Sequence, residues 1–210
     1  MTKPFWQEEN TAVTRREQRK QAFREKIIEA AIELFEAQGC DATTLDDICT
    51  RAEVSRPTFY SYYPSKQELI QALAEKLWLN LARELTELSL AQTTSAGDYL
   101  DAFIRMTRTE LKKYNRLERE LIRNTMALDP TQGNGMVMLQ GLTALFQAVY
   151  EQGRKRGEVG NRFPVEFLAE MSMGAIATLM MRWAVDEAYP VDRRLTQLLD
   201  YLRSMIALNK

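Results

Sequence analysis

Residues 43–66 read Thr-Thr-Leu-Asp-Asp-Ile-Cys-Thr-Arg-Ala-Glu-Val-Ser-Arg-Pro-Thr-Phe-Tyr-Ser-Tyr-Tyr-Pro-Ser-Lys, and the order of capping, apolar and proline residues in this stretch decides the fold. Thr44 and Asp47 have the spacing of a capping box, in which the hydroxyl accepts from a backbone N–H and the carboxylate reaches back. Leu45, Ile48, Cys49 and Ala52 then share one face of a short helix. Ser55 can cap the next one, with Pro57 tolerated in its first turn because N–H groups there have no intrahelical partner. Pro64 stops that second helix before it runs through Tyr63, and Ser65 with Glu68 repeats the capping pattern for a third. Val54 and Phe59 face back onto the first helix. Two short helices crossing over a small shared core make a helix-turn-helix, whose second helix is the one presented to the major groove of DNA.

Upstream, Phe23, Ile27, Ala30, Ala31 and Leu34 recur at three- and four-residue intervals, which predicts an amphipathic helix over 20–38 that ends near Gly39. Residues 15–26 carry six Lys+Arg against two Asp+Glu, and with the unpatterned residues before them they read as a flexible basic arm over 1–19. Such a run is either a solvated helix face or an arm that touches phosphates. Downstream the pattern is helical throughout, over about 66–91, 98–112, 115–128, 136–154, 164–187 and 192–208. The two short helices are expected over 44–51 and 56–62, and no run reads as strands. The fold class is therefore all-α with about nine helices, divided into a helix-turn-helix domain over 20–66 and a larger helical domain over 67–210.

The exposed positions of the second short helix suit DNA. Arg56 and Thr58 can reach base edges or phosphates, Tyr60 and Tyr62 offer hydroxyls on aromatic plates, and Lys66 adds charge at the rim. Thr43, Thr44 and Ser61 complete the candidate DNA-binding set. Tyr63 and Phe59 read as core.

In this block the chain resembles the TetR family of bacterial transcriptional regulators. The resemblance runs through residues 23–69 and is carried by Thr58-Phe59-Tyr60-Ser61-Tyr62-Tyr63-Pro64-Ser65-Lys66 followed by Glu68-Leu69, a run that a generic helix-turn-helix does not require. It implies a dimer with an N-terminal DNA-reading domain and a C-terminal domain that binds an effector. By position it places Thr44 at a phosphate, Arg56, Thr58 and Tyr62 toward the groove, and Tyr60 and Lys66 on the DNA backbone. The family often has glycine where Glu53 stands in the turn. If that residue is left-handed, a side chain there costs roughly 1–2 kcal/mol.

Composition sets limits on this reading. The chain has 210 residues, a formal net charge of -1, no histidine and two cysteines. Without histidine a single chain cannot assemble Ser-His-Asp or Cys-His catalysis or an imidazole-bearing zinc site. Cys40 and Cys49 read as small buried residues. No phosphate-binding glycine loop or nucleophile elbow is present, so neither an enzyme, a cofactor nor a metal site is expected. The longest apolar-rich stretch, Met171 to Val185, is broken by Ser172, Thr178 and Arg182 and falls short of the roughly 18 apolar residues of a membrane span. A cytoplasmic protein is expected. Residues 1–70 hold ten Lys+Arg and twelve Asp+Glu, so DNA binding is expected to rest on few phosphate contacts per subunit and on dimerisation.

Two apolar stripes near the C-terminus suit a subunit interface across a two-fold axis: Phe167, Met171, Ile176, Leu179 and Trp183 on one helix, with Leu195, Leu198 and Leu202 on the next. Packing within one chain would need the same stripes. Apart from Met1, all the methionines fall between Met106 and Met205, which suits an adaptable apolar cavity as well as ordinary gap filling. From the helices that surround a pocket in the resembled family, the candidate lining is Phe103, Met106, Thr107, Tyr114, Met126, Phe146, Tyr150 and Met173. The expected partners are an operator in double-stranded DNA, a second copy of the chain and a small, apolar effector. A helical carrier of small molecules, or an adaptor whose helix-turn-helix holds a protein, are the alternatives.

Overall fold

The computed structural model describes residues 15–90, 95–126 and 135–208. Among them are nine α-helices and no strand: α1 (Arg15–Gln38), α2 (Leu45–Arg51), α3 (Arg56–Tyr60), α4 (Lys66–Leu90), α5 (Ala96–Leu111), α6 (Arg116–Met126), α7 (Gly135–Lys155), α8 (Val165–Val185) and α9 (Val191–Ile206). The chain forms two compact units. The first runs to Leu77 and also takes Asn115–Asn124, most of α6, while the second holds Trp78–Tyr114 and the chain from Thr125 onward.

In the first unit the local signals act as the sequence suggests. Thr44 Oγ1 accepts from the Asp47 N–H at 3.1 Å, and the Asp47 carboxylate accepts the Thr44 N–H at 2.8 Å, closing the capping box of α2. Ser55 caps α3 with Pro57 in its first turn, and Ser65 Oγ accepts the Glu68 N–H at the start of α4. Ile27, Ala31 and Phe35 of α1, Ile48 of α2, Phe59 of α3 and Leu69 of α4 are all fully buried. Each of the larger ones contributes roughly 1.5–3 kcal/mol by leaving water. The buried face of α1 is rotated from the expected stripe: Phe35 lies inside, whereas Phe23, a turn before Ile27, is 41% exposed. Helix α1 also starts at Arg15, so residues 15–19, read as part of an arm, are helical; residues 1–14 lie outside the described part.

Among the described residues of this unit, two backbone positions have positive φ. Gly39 (φ 89) ends α1, where the left-handed backbone calls for glycine, and the Arg116 guanidinium occupies the space that a Cβ would take. Glu53 (φ 55) is left-handed in the turn between α2 and α3, where the resembled family often has glycine. The strain anticipated for a side chain at that position is present.

In the second unit α7 packs on α8, α8 on α9, and α5 on both α7 and α9. The core is rich in aromatic residues. Phe146 meets Tyr99, Phe103 and Tyr150 edge-on at centroid distances of 5.6, 5.3 and 6.0 Å. The expected subunit stripes need correction here. Ile176, Leu179, Trp183, Leu195, Leu198 and Leu202 are buried against their own chain, because these faces form the packing of α8 and α9 within the unit. Of the eight, Phe167 and Met171 are exposed, at 41% and 39%. No described helix is long and apolar enough to cross a membrane.

Candidate nucleic-acid interface

The helix-turn-helix presents a compact set of polar side chains on a rigid base. Phe59 and Tyr63, centroids 5.9 Å apart, anchor α3 and the turn after it; Tyr63 is 3% exposed and its hydroxyl accepts from Arg24 Nε at 3.2 Å. Helix α3 ends at Tyr60, two residues earlier than expected, with Ser61 at its C-cap, so Tyr62 follows the helix. Tyr60 is 51% exposed with its ring edge-on to Phe59, and Ser61 and Arg56 are exposed, while Thr58 and Tyr62 are half-buried. The Thr58 and Ser55 hydroxyls pair at 2.8 Å.

Arg56 is engaged in a two-pronged pair with Asp46, Nε donating to Oδ1 at 2.5 Å and the terminal nitrogen to Oδ2. This pair ties the first turn of α3 to that of α2, so Arg56 and Thr44 lie on neighbouring turns. Hydrogen bonding to the Arg56 guanidinium holds the Asp46 carboxyl below its ordinary range. Both groups are solvent-exposed, so a DNA phosphate or a guanine edge can take Arg56 over in exchange for Asp46. Asp46 went unnoticed in the sequence because nothing local announces a partner ten residues away.

Thr44 is exposed at the start of α2, but its groups are already committed. Its N–H and its hydroxyl both donate to Asp47, at 2.8 and 2.7 Å, which holds that carboxyl below its ordinary range. The first-turn N–H groups of Leu45 and Asp46 take no part in the capping box and remain as donors for an anion.

Two members of the candidate set are corrected. Thr43 is fully buried: its hydroxyl donates to the Gly39 carbonyl at 2.8 Å and accepts from Gln38 at 3.3 Å, so its side chain closes α1 and does not face outward. Lys66 is not a free charge at the rim. Its ammonium donates to the Cys40 and Thr43 carbonyls at 2.8 and 2.7 Å, leaving one of three N–H bonds for anything else. On the other side of the same loop the Cys40 N–H donates to Glu120 Oε2 at 2.7 Å, and Glu120 pairs with Arg116 at 2.9 Å. Asn115 of this segment also donates to Glu36 of α1 at 2.8 Å. The loop that leads into α2 is thus gripped by α4 and by α6. Burial pushes the Cys40 thiol far up, and the neighbouring Glu120 adds to this, so the thiol stays protonated.

Of the candidate pocket residues in the second unit, Phe103, Thr107, Phe146, Tyr150 and Met173 are buried. Met106 is half-buried, as is Tyr114, whose ring lies 6.2 Å from Trp183. The Met126 side chain lies outside the described residues. Tyr99, absent from the candidate set, belongs to the same aromatic cluster; its place four residues before Phe103 on an apolar stripe could have revealed it.

The fold and this surface define a helix-turn-helix protein. Residues 27–73 match the bacterial regulatory proteins of the tetR family. It is similar to the HTH-type transcriptional regulator TtgR of Pseudomonas putida, at 34% identity over 105 residues that cover 50% of this chain and 47% of TtgR. It is also similar to the uncharacterized HTH-type regulator YvdT of Bacillus subtilis, 45% identical over 53 residues that cover 25% and 27% of the two chains. The chain thus spans about half or less of the curated relatives it matches. Over nearly the whole fold it resembles Thermus thermophilus FadR, a TetR-family transcriptional repressor solved with lauroyl-CoA, with a TM-score of 0.65, 25% identity and coverage of 89% and 96%.

Proposed function

We propose that the protein is a ligand-responsive transcriptional repressor that binds an operator as a homodimer and is released by a small molecule. One observation carries this reading. The exposed Arg56, Tyr60 and Ser61, with the half-buried Thr58 among them, stand on a capped α2 and a fully buried Phe59, in a block that matches a family of bacterial regulatory proteins. Base-edge contacts come from Arg56 and Thr58. Tyr60, Tyr62 and the free N–H groups of α2 hold the phosphates. The second copy docks on the outer stripe of α8, where Phe167 and Met171 are exposed, Phe163 just before the helix lies against Phe167, and a Cβ added at Gly174 would meet nothing within 4 Å. Exposed rings beside a small residue allow close helix approach across a two-fold axis.

The effector is proposed to bind the aromatic core of the second unit, and the complex of the similar Thermus thermophilus FadR with lauroyl-CoA supports a small-molecule ligand for this fold. Helix α4 runs from the first unit into the second, and Lys66 at its start holds the loop that positions α2, so α4 is the route proposed for the effector's influence. Gel shifts against the chain's own upstream DNA test the reading. A sequence-specific shift by a dimer supports it, and a folded dimer that binds no DNA in any ligand state overturns it.

A further inference from the structure

The core of the second unit contains two hydroxyls that the fold does not use. Tyr99 is 1% exposed and Thr107 is 7% exposed, yet neither Tyr99 Oη nor Thr107 Oγ1 has a hydrogen-bond partner. Buried polar groups are nearly always paired, and an orphan demands an explanation. Phenylalanine at 99 and valine at 107 would fill nearly the same space without desolvating a polar atom. Both positions lie on α5 with Phe103 midway between them, so the three share one face of the helix, and Phe146 covers Tyr99 and Phe103.

A neighbouring hydroxyl shows what satisfaction looks like in this core. Ser172 has a single proton, which it donates to the Leu168 carbonyl at 2.8 Å. The 2.8 Å contact between Ser172 Oγ and Tyr150 Oη is therefore Tyr150 donating. Burial pushes the Tyr99 phenol up, with the Tyr150 phenol adding to the effect, so Tyr99 keeps its proton and has no acceptor to give it to. Thr107 and Ser172 are the buried polar residues of this unit among those described, and no charged residue of it is buried as a whole; Arg154 has its Nε buried without a partner, but its terminal nitrogen is spent on the Gly160 and Phe163 carbonyls at 2.7 Å each. On α5 itself, Arg105 is exposed and Arg108 is paired with Asp192 at 3.1 Å.

We infer that the inner face of α5 recognises the effector, and that the effector is an uncharged, aromatic molecule whose hydrogen-bond acceptor takes the proton of Tyr99, with Thr107 as a second polar contact. This rests on the proposal that the second unit holds the effector. A charged group would enter a core with no buried counter-charge, which disfavours carboxylates and ammonium ions. A plain hydrocarbon or alkyl chain would leave both hydroxyls as they are. Positions 99 and 107 are separated by about 12 Å along the helix, so a ligand touching both is of roughly three-ring size.

Calorimetric titration of the full chain tests this with three probes of one shape: fluorenone, fluorene, which has a methylene in place of the carbonyl, and fluorenone-4-carboxylate. Fluorenone is expected to bind tightest, ahead of fluorene by about three- to tenfold, the span a single neutral hydrogen bond supplies. Tyr99→Phe should erase that margin and leave fluorene binding unchanged, and the Tyr99→Phe, Thr107→Val double variant should match or exceed the parent in Tm. Equal binding of ketone and hydrocarbon, preference for the carboxylate, or no binding of any probe overturns the inference. So does a Tyr99→Phe variant that loses stability while keeping the ketone preference, since the hydroxyl would then have a structural partner. A gel shift without ligand separates the two readings: loss of operator binding with ketone recognition intact sinks the repressor alone.

Discussion

The carboxylate of Glu120 accepts the backbone N–H of Cys40 at 2.7 Å, although eighty residues of chain separate them. Cys40 follows Gly39, whose left-handed backbone turns the chain out of α1, so the N–H is fixed in direction and needs an acceptor inside the fold. Glu120 is 8% exposed and also holds Arg116, which lies against the open side of Gly39.

Glu120→Ala leaves a buried N–H without an acceptor and is expected to cost about 1–3 kcal/mol. Thermal unfolding should register this as a clear fall in Tm. An unchanged Tm would mean that the loop re-pairs without α6.

The charge of Glu120 gives a pH signature. Burial works to raise its pKa, but the Cys40 N–H and thiol and the Arg116 guanidinium outweigh that and hold it below the ordinary 4.5. A depressed folded pKa contributes stability that is complete above the unfolded value and disappears as pH falls through the folded one. Glu118 beside it has the opposite sign, because burial pushes it up. The clean measurement is therefore the Tm difference between the parent and Glu120→Gln, which keeps an acceptor for Cys40 but has no charge. That gap should be constant from neutrality down to about pH 5 and close on further acidification.

Lys66→Met removes both bonds to the Cys40 and Thr43 carbonyls. If the ammonium serves the loop alone, Tm falls and the slope of log affinity against log salt is unchanged. If its third N–H also holds a phosphate, the slope drops by about 1.8 for a bound homodimer, about 0.9 for each subunit. Fluorescence anisotropy over a salt series distinguishes the two outcomes.

Glu53→Gly relieves a left-handed side chain at the turn. Part of the gain is lost to the freer unfolded chain, so a net stabilisation of up to about 1 kcal/mol is expected. A lower Tm would show that the Glu53 side chain contributes more than its backbone strain costs.

Phe167→Glu with Met171→Glu places charge on the exposed stripe of α8 without touching the buried face. Sedimentation should show a monomer with parental helicity, and operator affinity should collapse. A dimer that survives both changes would place the interface elsewhere.

What the sequence made legible follows the range of the interactions involved. The capping box of Thr44 and Asp47, the Ser55 cap with Pro57 behind it and the strain at Glu53 are settled within a few residues, and all are present in the fold. Thr43 and Lys66 have partners that the tertiary fold sets, the closed end of α1 for one and carbonyls 23 and 26 residues back for the other, and no local pattern announces them. The stripes of α8 and α9 were seen correctly as apolar. Periodicity alone does not say whether such a face meets its own chain or another, and Leu195 and Trp183 meet their own. The first turns of α1 gave no signal because a helical turn of Arg, Glu and Gln has no apolar period to read. Tyr99 was passed over since an orphaned hydroxyl exists only once its surroundings are known.

Because Asn115–Asn124 belongs to the first unit, that unit is discontinuous along the gene. Recombination that joins residues 1–77 to a different second unit would carry Gly39 and Cys40 away from Arg116 and Glu120, and the new chain would have to supply an acceptor at the same point. A working hybrid therefore requires two splices, with the ten-residue insert travelling alongside the N-terminal block. Exchange of second units between chains built this way is restricted to partners that preserve this clasp.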